Sequence, residues 1–310
     1  MEVQDNSWFI IINPVAGSGA SVQAWKQLKP ILEQANIDFQ FALTKHPTHA
    51  VSLSKKVVAA GGRRILIMGG DGTANEVLNG LFLSGVATDE VVLGMISGGT
   101  GNDWVRTIGR HGALQQIPRS LRAADTVAYD AGELTFTKEG ATSKRYFLNI
   151  TGLGFDGFVT RELAFGKGFL SNTRYRYWAA LLKGVLRYKP NILNFVIDDV
   201  PFSYTCMSVA AGIGKYNGGG MKQLPFADYN DGKLDLTLIT TMSKFKMIWS
   251  LPKLKRGTFT GMHQVKTFQA VEIKIDSEEE VFVEADGEYL GTTPASITII
   301  PDALRILRWK

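Results

Sequence analysis

Two rhythms of apolar and polar positions run along this chain, and the change between them divides it. From residue 8 to about 96, short apolar runs take turns with longer stretches of helical spacing. Residues 8–12 (WFIII) are continuously apolar and stop at Asn13-Pro14, and residues 22–34 carry apolar positions three and four apart. Residues 39–43 read as a strand and 49–60 as a helix closed by Gly61-Gly62. Residues 64–68 follow as a buried strand, 74–83 as a helix and 91–96 as another strand. This pattern predicts an α/β domain over residues 1–125, with helices packed on a mostly parallel sheet. Ligands of such sheets bind beyond the carboxyl ends of the strands.

After about residue 126 the runs shorten and turn signals multiply: Asp130-Ala131-Gly132, Lys138-Glu139-Gly140, Asp198-Asp199-Val200-Pro201, Asn230-Asp231-Gly232 and Asp286-Gly287. They predict an antiparallel β-rich domain over 126–310, a sandwich or flattened barrel. Residues 172–187 are the one long helical candidate there. No low-complexity linker separates the halves, and the segment 297–308 is free to run back onto the first domain.

Composition narrows the picture. A chain of 310 residues is about twice the usual domain length, and 45% apolar with 20% charged residues excludes a disordered chain. No run approaches the ~18 apolar residues of a spanning helix. Residues 1–6 (MEVQDN) lack the basic-then-apolar order of a secretory signal, so a cytoplasmic protein is expected. Cys206 is the single cysteine, which excludes an internal disulfide and a zinc site built on several cysteines. His46, His49, His111 and His263 form no ligand pattern.

The net charge of +5 and pI near 9.1 suit phosphate-bearing ligands or an anionic membrane surface. The excess is concentrated. Residues 161–189 hold Arg161, Lys167, Arg174, Arg176, Lys183, Arg187 and Lys189 against Glu162 alone, interleaved with Phe165, Phe169, Tyr175, Tyr177, Trp178 and Tyr188. Residues 244–256 hold Lys244, Lys246, Lys253, Lys255 and Arg256 with no acid. Cations beside aromatic rings suit a membrane interface, although a solvated helix with its rings in the core has the same composition. No nucleic-acid recognition motif accompanies them.

Three glycine-bearing strings follow strands of the first domain. Asn13-Pro14-Val15-Ala16-Gly17-Ser18-Gly19 precedes a helix whose N-terminus favours anions. Val22 stands where the dinucleotide fingerprint needs its third glycine, which disfavours a Rossmann dehydrogenase. Gly69-Gly70-Asp71-Gly72-Thr73-Ala74-Asn75-Glu76 lets main chain approach a polyphosphate closely. Asp71 beside phosphate calls for Mg²⁺ between them. Ser97-Gly98-Gly99-Thr100-Gly101-Asn102-Asp103 is the third string, and there is no Walker P-loop. Loops at three strand ends of one sheet converge on one edge and form a nucleotide cradle.

In combination these strings resemble the soluble bacterial diacylglycerol kinase family, lipid kinases related to sphingosine and ceramide kinases and, more distantly, to NAD kinases. The resemblance covers nearly the whole chain, with Trp104 where phenylalanine is common. It implies an ATP-binding α/β domain, a β-rich second domain and a site in the cleft between them. ATP contacts would come from Asn13, Pro14, Val15, Ala16, Gly17, Thr44, Gly70, Asp71, Gly72, Thr73, Ala74, Asn75, Glu76 and Thr100, with a catalytic Mg²⁺ at Asp71. Spacing alone reads 225–235 (PFADYNDGKLD) as a turn before a strand. The resemblance implies a structural Mg²⁺ held there by Asp228, Asp231 and the Lys233 carbonyl. Likewise Asp286-Gly287-Glu288 is a hairpin signal by itself. By resemblance it carries the general base, either Asp286 or Glu288.

The implied activity is ATP- and Mg²⁺-dependent phosphorylation of a lipid hydroxyl, first of all diacylglycerol to phosphatidic acid. The acceptor would be met at the inner membrane surface through a transient peripheral contact by one of the basic segments. The oligomeric state stays open, a homodimer included. An NAD kinase-like enzyme, which shares Gly-Gly-Asp-Gly-Thr, is the enzymatic alternative, and a non-catalytic nucleotide- or lipid-binding regulator is the alternative of another class.

Overall fold

The computed structural model describes residues 7–98, 101–166 and 173–310, the side chains of 173–178 excepted. The chain forms two compact units, Met1–Ala131 with Ile300–Lys310, and Gly132–Ile299.

The first unit begins with β1 (Trp8–Ile12), α1 (Ala20–Gln34), β2 (Phe39–Leu43), α2 (His49–Ala59), β3 (Arg64–Gly69), α3 (Asp71–Phe82) and β4 (Val92–Ser97). Two short helices follow, α4 (Asp103–Ile108) and α5 (Ile117–Ala123), and then β5 (Thr126–Lys138), whose first residues close the unit. β1 pairs in parallel with β2 and β3, and β3 in parallel with β4. All of β1 is buried, as a parallel strand with both faces covered must be. Its alternate residues Trp8, Ile10 and Ile12 meet Trp25, Leu28 and Leu32, the buried stripe of α1. Helices α2 and α3 close on each other at Gly80, where a Cβ would stand 2.0 Å from Ser54 Oγ.

The division between the units falls at 131/132, within β5, which runs unbroken through the turn signal at 130–132. The terminal residues rejoin this unit through main-chain bonding. Arg305 and Ile306 pair in parallel with Val92 and Leu93 of β4. The Arg308 N–H donates to the Asp125 carbonyl at 2.8 Å.

The second unit contains the rest of β5, β6 (Ala141–Phe147), β7 (Ile150–Gly154), α6 (Phe155–Phe165), α7 (Thr173–Arg187), β8 (Asn191–Ile197), β9 (Val200–Gly212) and β10 (Leu234–Thr240). It continues with α8 (Lys244–Arg256), β11 (Val265–Ala270), β12 (Glu272–Asp276), β13 (Phe282–Ala285) and most of β14 (Glu288–Leu307). Its strand pairs are antiparallel: β11–β10–β9–β7–β13–β14 in one direction, with β8 joining β9 to β12 and β12 returning to β14. Strand β9 explains how both layers form. Its first half alternates exposed and half-buried residues against β8, and its second half is buried throughout between β10 and β7.

Sequence reading missed two helices here, α6 and α8. Helix α6 rises directly from Gly154, whose φ of +83° turns the chain out of β7. It packs Phe155 and Val159 against Leu181 and Val185 of α7 and Met207 of β9. In α8, apolar residues occupy two faces of the helix and Pro252 interrupts the run, so no single buried stripe marks it. Among the described residues no helix is long and apolar enough to cross a membrane.

Candidate active site

In the first unit the three glycine-bearing loops meet. The Asn13 N–H donates to the Met68 carbonyl at 2.8 Å, and Asn13 Nδ2 donates to Thr73 Oγ1 at 2.9 Å, tying the first loop to the second. Asn13 Oδ1 accepts from the Val15 N–H at 3.2 Å and shapes the turn that follows. The Gly98 N–H donates to the Gly69 carbonyl at 2.8 Å and brings in the third loop. Gly17 (φ +58°) lies so close to it that a Cβ would be 1.7 Å from the Gly98 carbonyl oxygen. No side chain can replace that hydrogen without moving main chain. The Thr44 N–H donates to the Ile12 carbonyl at 2.8 Å, so the end of β2 joins the same rim.

The acids of α3 serve main-chain donors. Both Glu76 oxygens accept from the start of α2, from the Thr48 N–H at 2.9 Å and the Ala50 N–H at 3.1 Å. Asp71 accepts from the Asp103 N–H at 3.0 Å and the Trp104 N–H at 3.2 Å, the first turn of α4. Burial raises the Asp71 pKa, opposed by those N–H donors and the Arg106 guanidinium. Helices α2 and α4 are therefore capped from α3. The starts of α1 and α3, at Gly19 and Gly70, carry no side-chain cap. Each leaves N–H groups and the positive end of a helix dipole at a strand end, a ready site for phosphate oxygens.

The expected nucleotide contacts divide accordingly. Pro14 and Ala16 are half-buried at the rim and Val15 is exposed; Gly70 and Gly72 open the second loop. Thr73, Ala74 and Asn75 are buried. Asn75 is further engaged by Asn79, whose Nδ2 donates to its carbonyl at 2.9 Å. Asp71 and Glu76 point at helix starts. Thr100 and Gly99 lie outside the described residues.

In the second unit, Asp286 (φ +49°) and Gly287 (φ +83°) make the turn between β13 and β14. The Asp286 carboxylate accepts from the Leu148, Asn149 and Ile150 N–H groups at 2.8, 3.0 and 3.2 Å. Its lone pairs hold the entry to β7. The half-exposed Glu288 carboxylate forms an ion pair with Arg145 at 2.8 Å. The structure thereby separates two acids that the motif left equivalent.

Sequence reading missed the acid beneath that turn. Glu284 is buried and accepts from the Gly287 N–H at 2.8 Å. Asp156, at the start of α6, accepts from Ser208 Oγ at 2.8 Å and Gln223 Nε2 at 2.9 Å. Both flank Gly152, where a Cβ would be 2.6 Å from Glu284 Oε1 and 2.9 Å from Asp156 Cβ. Burial raises the pKa of each, and the Asp156 charge raises that of Glu284 further, well above the ordinary carboxyl range. Among the described residues no cation pairs with either acid. The signal available beforehand was weak: an acid following the Gly152-Leu153-Gly154 string, and one more glutamate in an acidic stretch.

The expected structural Mg²⁺ site is less assembled. Asp228 and Asp231 are exposed, and Asp231 accepts from the Lys233 N–H at 3.0 Å within its own turn. Asp235 has a raised pKa, first from burial and then from the Asp231 and Asp228 charges. Oxygen donors under mutual repulsion fit a hard cation in kind. Among the described residues, though, no three His, Cys, Asp or Glu side chains converge on a metal position. Cys206 is buried in β9 with its thiol pushed up to about 12 by burial, an inert strand residue. His46 and His49 stack with their ring centroids 4.8 Å apart.

In the basic segment 161–189, Arg161 lies over the Phe282 ring at 4.8 Å and Lys183 pairs with Glu162. The placements of Lys167 and Phe169, and the side chains of Arg174, Tyr175, Arg176, Tyr177 and Trp178, lie outside the described residues.

An α/β unit with glycine loops at its strand ends, joined to an antiparallel β unit, defines the kinase fold in which these pieces recur. Residues 7–134 match the diacylglycerol kinase catalytic domain, and residues 150–308 match the YegS C-terminal NAD kinase beta sandwich-like domain. "Putative lipid kinase YtlR" of Bacillus subtilis (strain 168) is 30% identical over 312 residues, covering 96% of this chain and 98% of the relative. A diacylglycerol kinase of Mycobacterium tuberculosis (strain ATCC 25618 / H37Rv) is 27% identical over 304 residues, covering 96% and 94%. A crystal structure of a diacylglycerol kinase from Bacillus anthracis str. Sterne superimposes with a TM-score of 0.71 at 22% identity, covering 99% and 98%. Yeast NADH kinase complexed with NADH shares the fold at a TM-score of 0.53 and 10% identity, covering 98% and 84%. The chain belongs to the diacylglycerol kinase-type lipid kinase family.

Proposed function

We propose that this protein is an ATP- and Mg²⁺-dependent kinase that phosphorylates the free hydroxyl of a membrane lipid, with diacylglycerol as acceptor and phosphatidic acid as product. One observation carries the donor half. Of the four helices that start at the strand-end loops, α2 and α4 meet carboxylate acceptors from Glu76 and Asp71 at their starts, while α1 and α3 start at glycines, which carry no capping side chain. Those two starts, with main chain from Asn13 to Gly17 and from Gly70 to Thr73, would hold the triphosphate, and Thr44 and Thr100 would adjoin it. Bound Mg²⁺ would neutralise the charge that develops on the phosphoryl group in transfer.

In the second unit, Glu288 would accept the hydroxyl proton while the lipid oxygen bonds to the γ-phosphorus and the bond to the ADP oxygen breaks. Arg145 holds its carboxylate in place. Asp286 is a positioning residue, since its oxygens grip three backbone N–H groups. A structural Mg²⁺ would be held by Asp228, Asp231 and the Lys233 carbonyl, offsetting the repulsion felt by Asp235.

The decisive assay offers γ-labelled ATP and Mg²⁺ together with diacylglycerol, ceramide, a sphingoid base, phosphatidylglycerol or NAD. Label in phosphatidic acid is the expected result. Label in NAD alone would sink the lipid kinase reading, and transfer to no acceptor would favour a binding role.

A further inference from the structure

Helix α8 has a face that the fold leaves uncovered. Met247, Leu251 and Leu254 are half-buried at helical spacing and rest on the second unit, Met247 against the cluster of α6, α7 and β9. On the opposite side, Phe245, Ile248, Trp249 and Pro252 follow the i, i+3, i+4, i+7 pattern and all are exposed. Phe245 is 71%, Trp249 70% and Ile248 48% accessible. The Phe245 and Trp249 rings lie 5.8 Å apart and form one ridge. At 3.6 residues per turn, Lys244 and Lys255 fall about 70–90° to one side of the middle of this ridge and Lys246 and Lys253 about 90–110° to the other. Arg256 ends it. No acid occurs on the helix, and among the described residues none of these cations has a carboxylate partner. Lys244 Nζ donates to the Leu186 carbonyl, which sets α8 beside α7, where Leu182 and Leu186 are also exposed.

An outward aromatic ridge costs free energy in water, and core packing does not account for it, since the helix already uses its other face. Cations on both flanks would repel one another across any interface with a like surface. They complement a negatively charged plane into which the rings can sink to headgroup depth. We propose that α8 is the membrane-docking element of this protein, with Phe245, Ile248 and Trp249 entering an anionic bilayer surface between the two pairs of lysines. This deepens the lipid kinase reading by naming the helix that meets the membrane holding the acceptor.

The test uses the full chain and two kinds of vesicle, phosphatidylcholine alone and phosphatidylcholine mixed with phosphatidylglycerol. Sedimentation should show binding to the mixed vesicles that weakens as salt is raised. Phe245→Ala/Trp249→Ala should lower the partition about tenfold or more, and Lys246→Glu/Lys253→Glu should remove the preference for phosphatidylglycerol. All four positions are exposed, and unchanged thermal unfolding checks that the variants fold. Trp249→Phe should still bind while losing part of the fluorescence quenching caused by brominated acyl chains. Binding that ignores these substitutions or the lipid charge overturns the proposal. So does a shift from dimer to monomer in Phe245→Ala/Trp249→Ala with vesicle binding intact, since the ridge would then serve a second copy. A parallel assay on diacylglycerol dispersed in neutral detergent keeps the two readings apart. Wild-type protein that binds vesicles through α8 yet phosphorylates no acceptor upholds docking and overturns only the kinase reading.

Discussion

The two units use carboxylates in opposite ways. In the first, Asp71 and Glu76 stand on one helix and each caps the start of another, so negative charge meets backbone N–H groups and the rim beside them stays open to anions. In the second, Asp286 does the same for the entry to β7, but Glu284 and Asp156 are buried near each other and, among the described residues, accept from neutral donors. A carboxylate facing main-chain donors acts as a fixed strut. A carboxylate facing another in a dry interior holds its proton to higher pH and makes the unit sensitive to it.

Glu288→Gln gives the largest expected effect, since it removes a proton acceptor and leaves all three Asp286 contacts in place. The expected loss is about 10²- to 10⁴-fold in kcat with KM for ATP nearly unchanged. A comparable loss from Asp286→Asn with Glu288→Gln active would reverse the two roles.

Asp71→Asn sharpens the first unit in the same way. It keeps one oxygen for the N–H groups of α4 and loses the charge. A fall of about 10²- to 10³-fold in turnover with the melting temperature held within a few degrees would mark a charge role beyond capping. Full turnover in Asp71→Asn would leave it a cap alone.

Asp286→Ala should act on stability. Three partly buried N–H groups lose their acceptor, each worth about 1 kcal/mol, and a unit of this size should melt roughly 6–12 °C lower.

The Glu284 and Asp156 pair predicts a pH effect of definite sign. With the native Glu284 pKa raised above its unfolded value, the native state binds more protons between the two. Stability is full below about pH 4.5 in this respect and falls as pH rises through the native pKa. Denaturant titrations should show that decline flattened in Glu284→Gln, which keeps an oxygen for the Gly287 N–H. An equally steep decline in Glu284→Gln would place its origin elsewhere. Smallest of all, Glu76→Ala should cost about 1 kcal/mol by uncapping α2, seen as a drop of a few degrees.

How much of this was legible beforehand varies along the chain for physical reasons. Strands β1 and β2 appear at the residues the pattern marked, and β1 reads most plainly because a parallel strand buried on both faces must be apolar throughout. Helices α6 and α8 were hidden. One takes its start from a glycine turn, and the other exposes apolar residues that a core-facing helix would bury.

By itself the sequence determined what can be written into local patterns: two kinds of domain, the glycine strings where backbone approaches closely, and the family they mark. The tertiary structure alone decided which donors each acid meets. Asp71, Glu76 and Asp286 accept from main-chain N–H groups, Glu288 pairs with Arg145, and Asp156 was brought to Glu284. Those donors come from segments remote in sequence, so no local pattern records them.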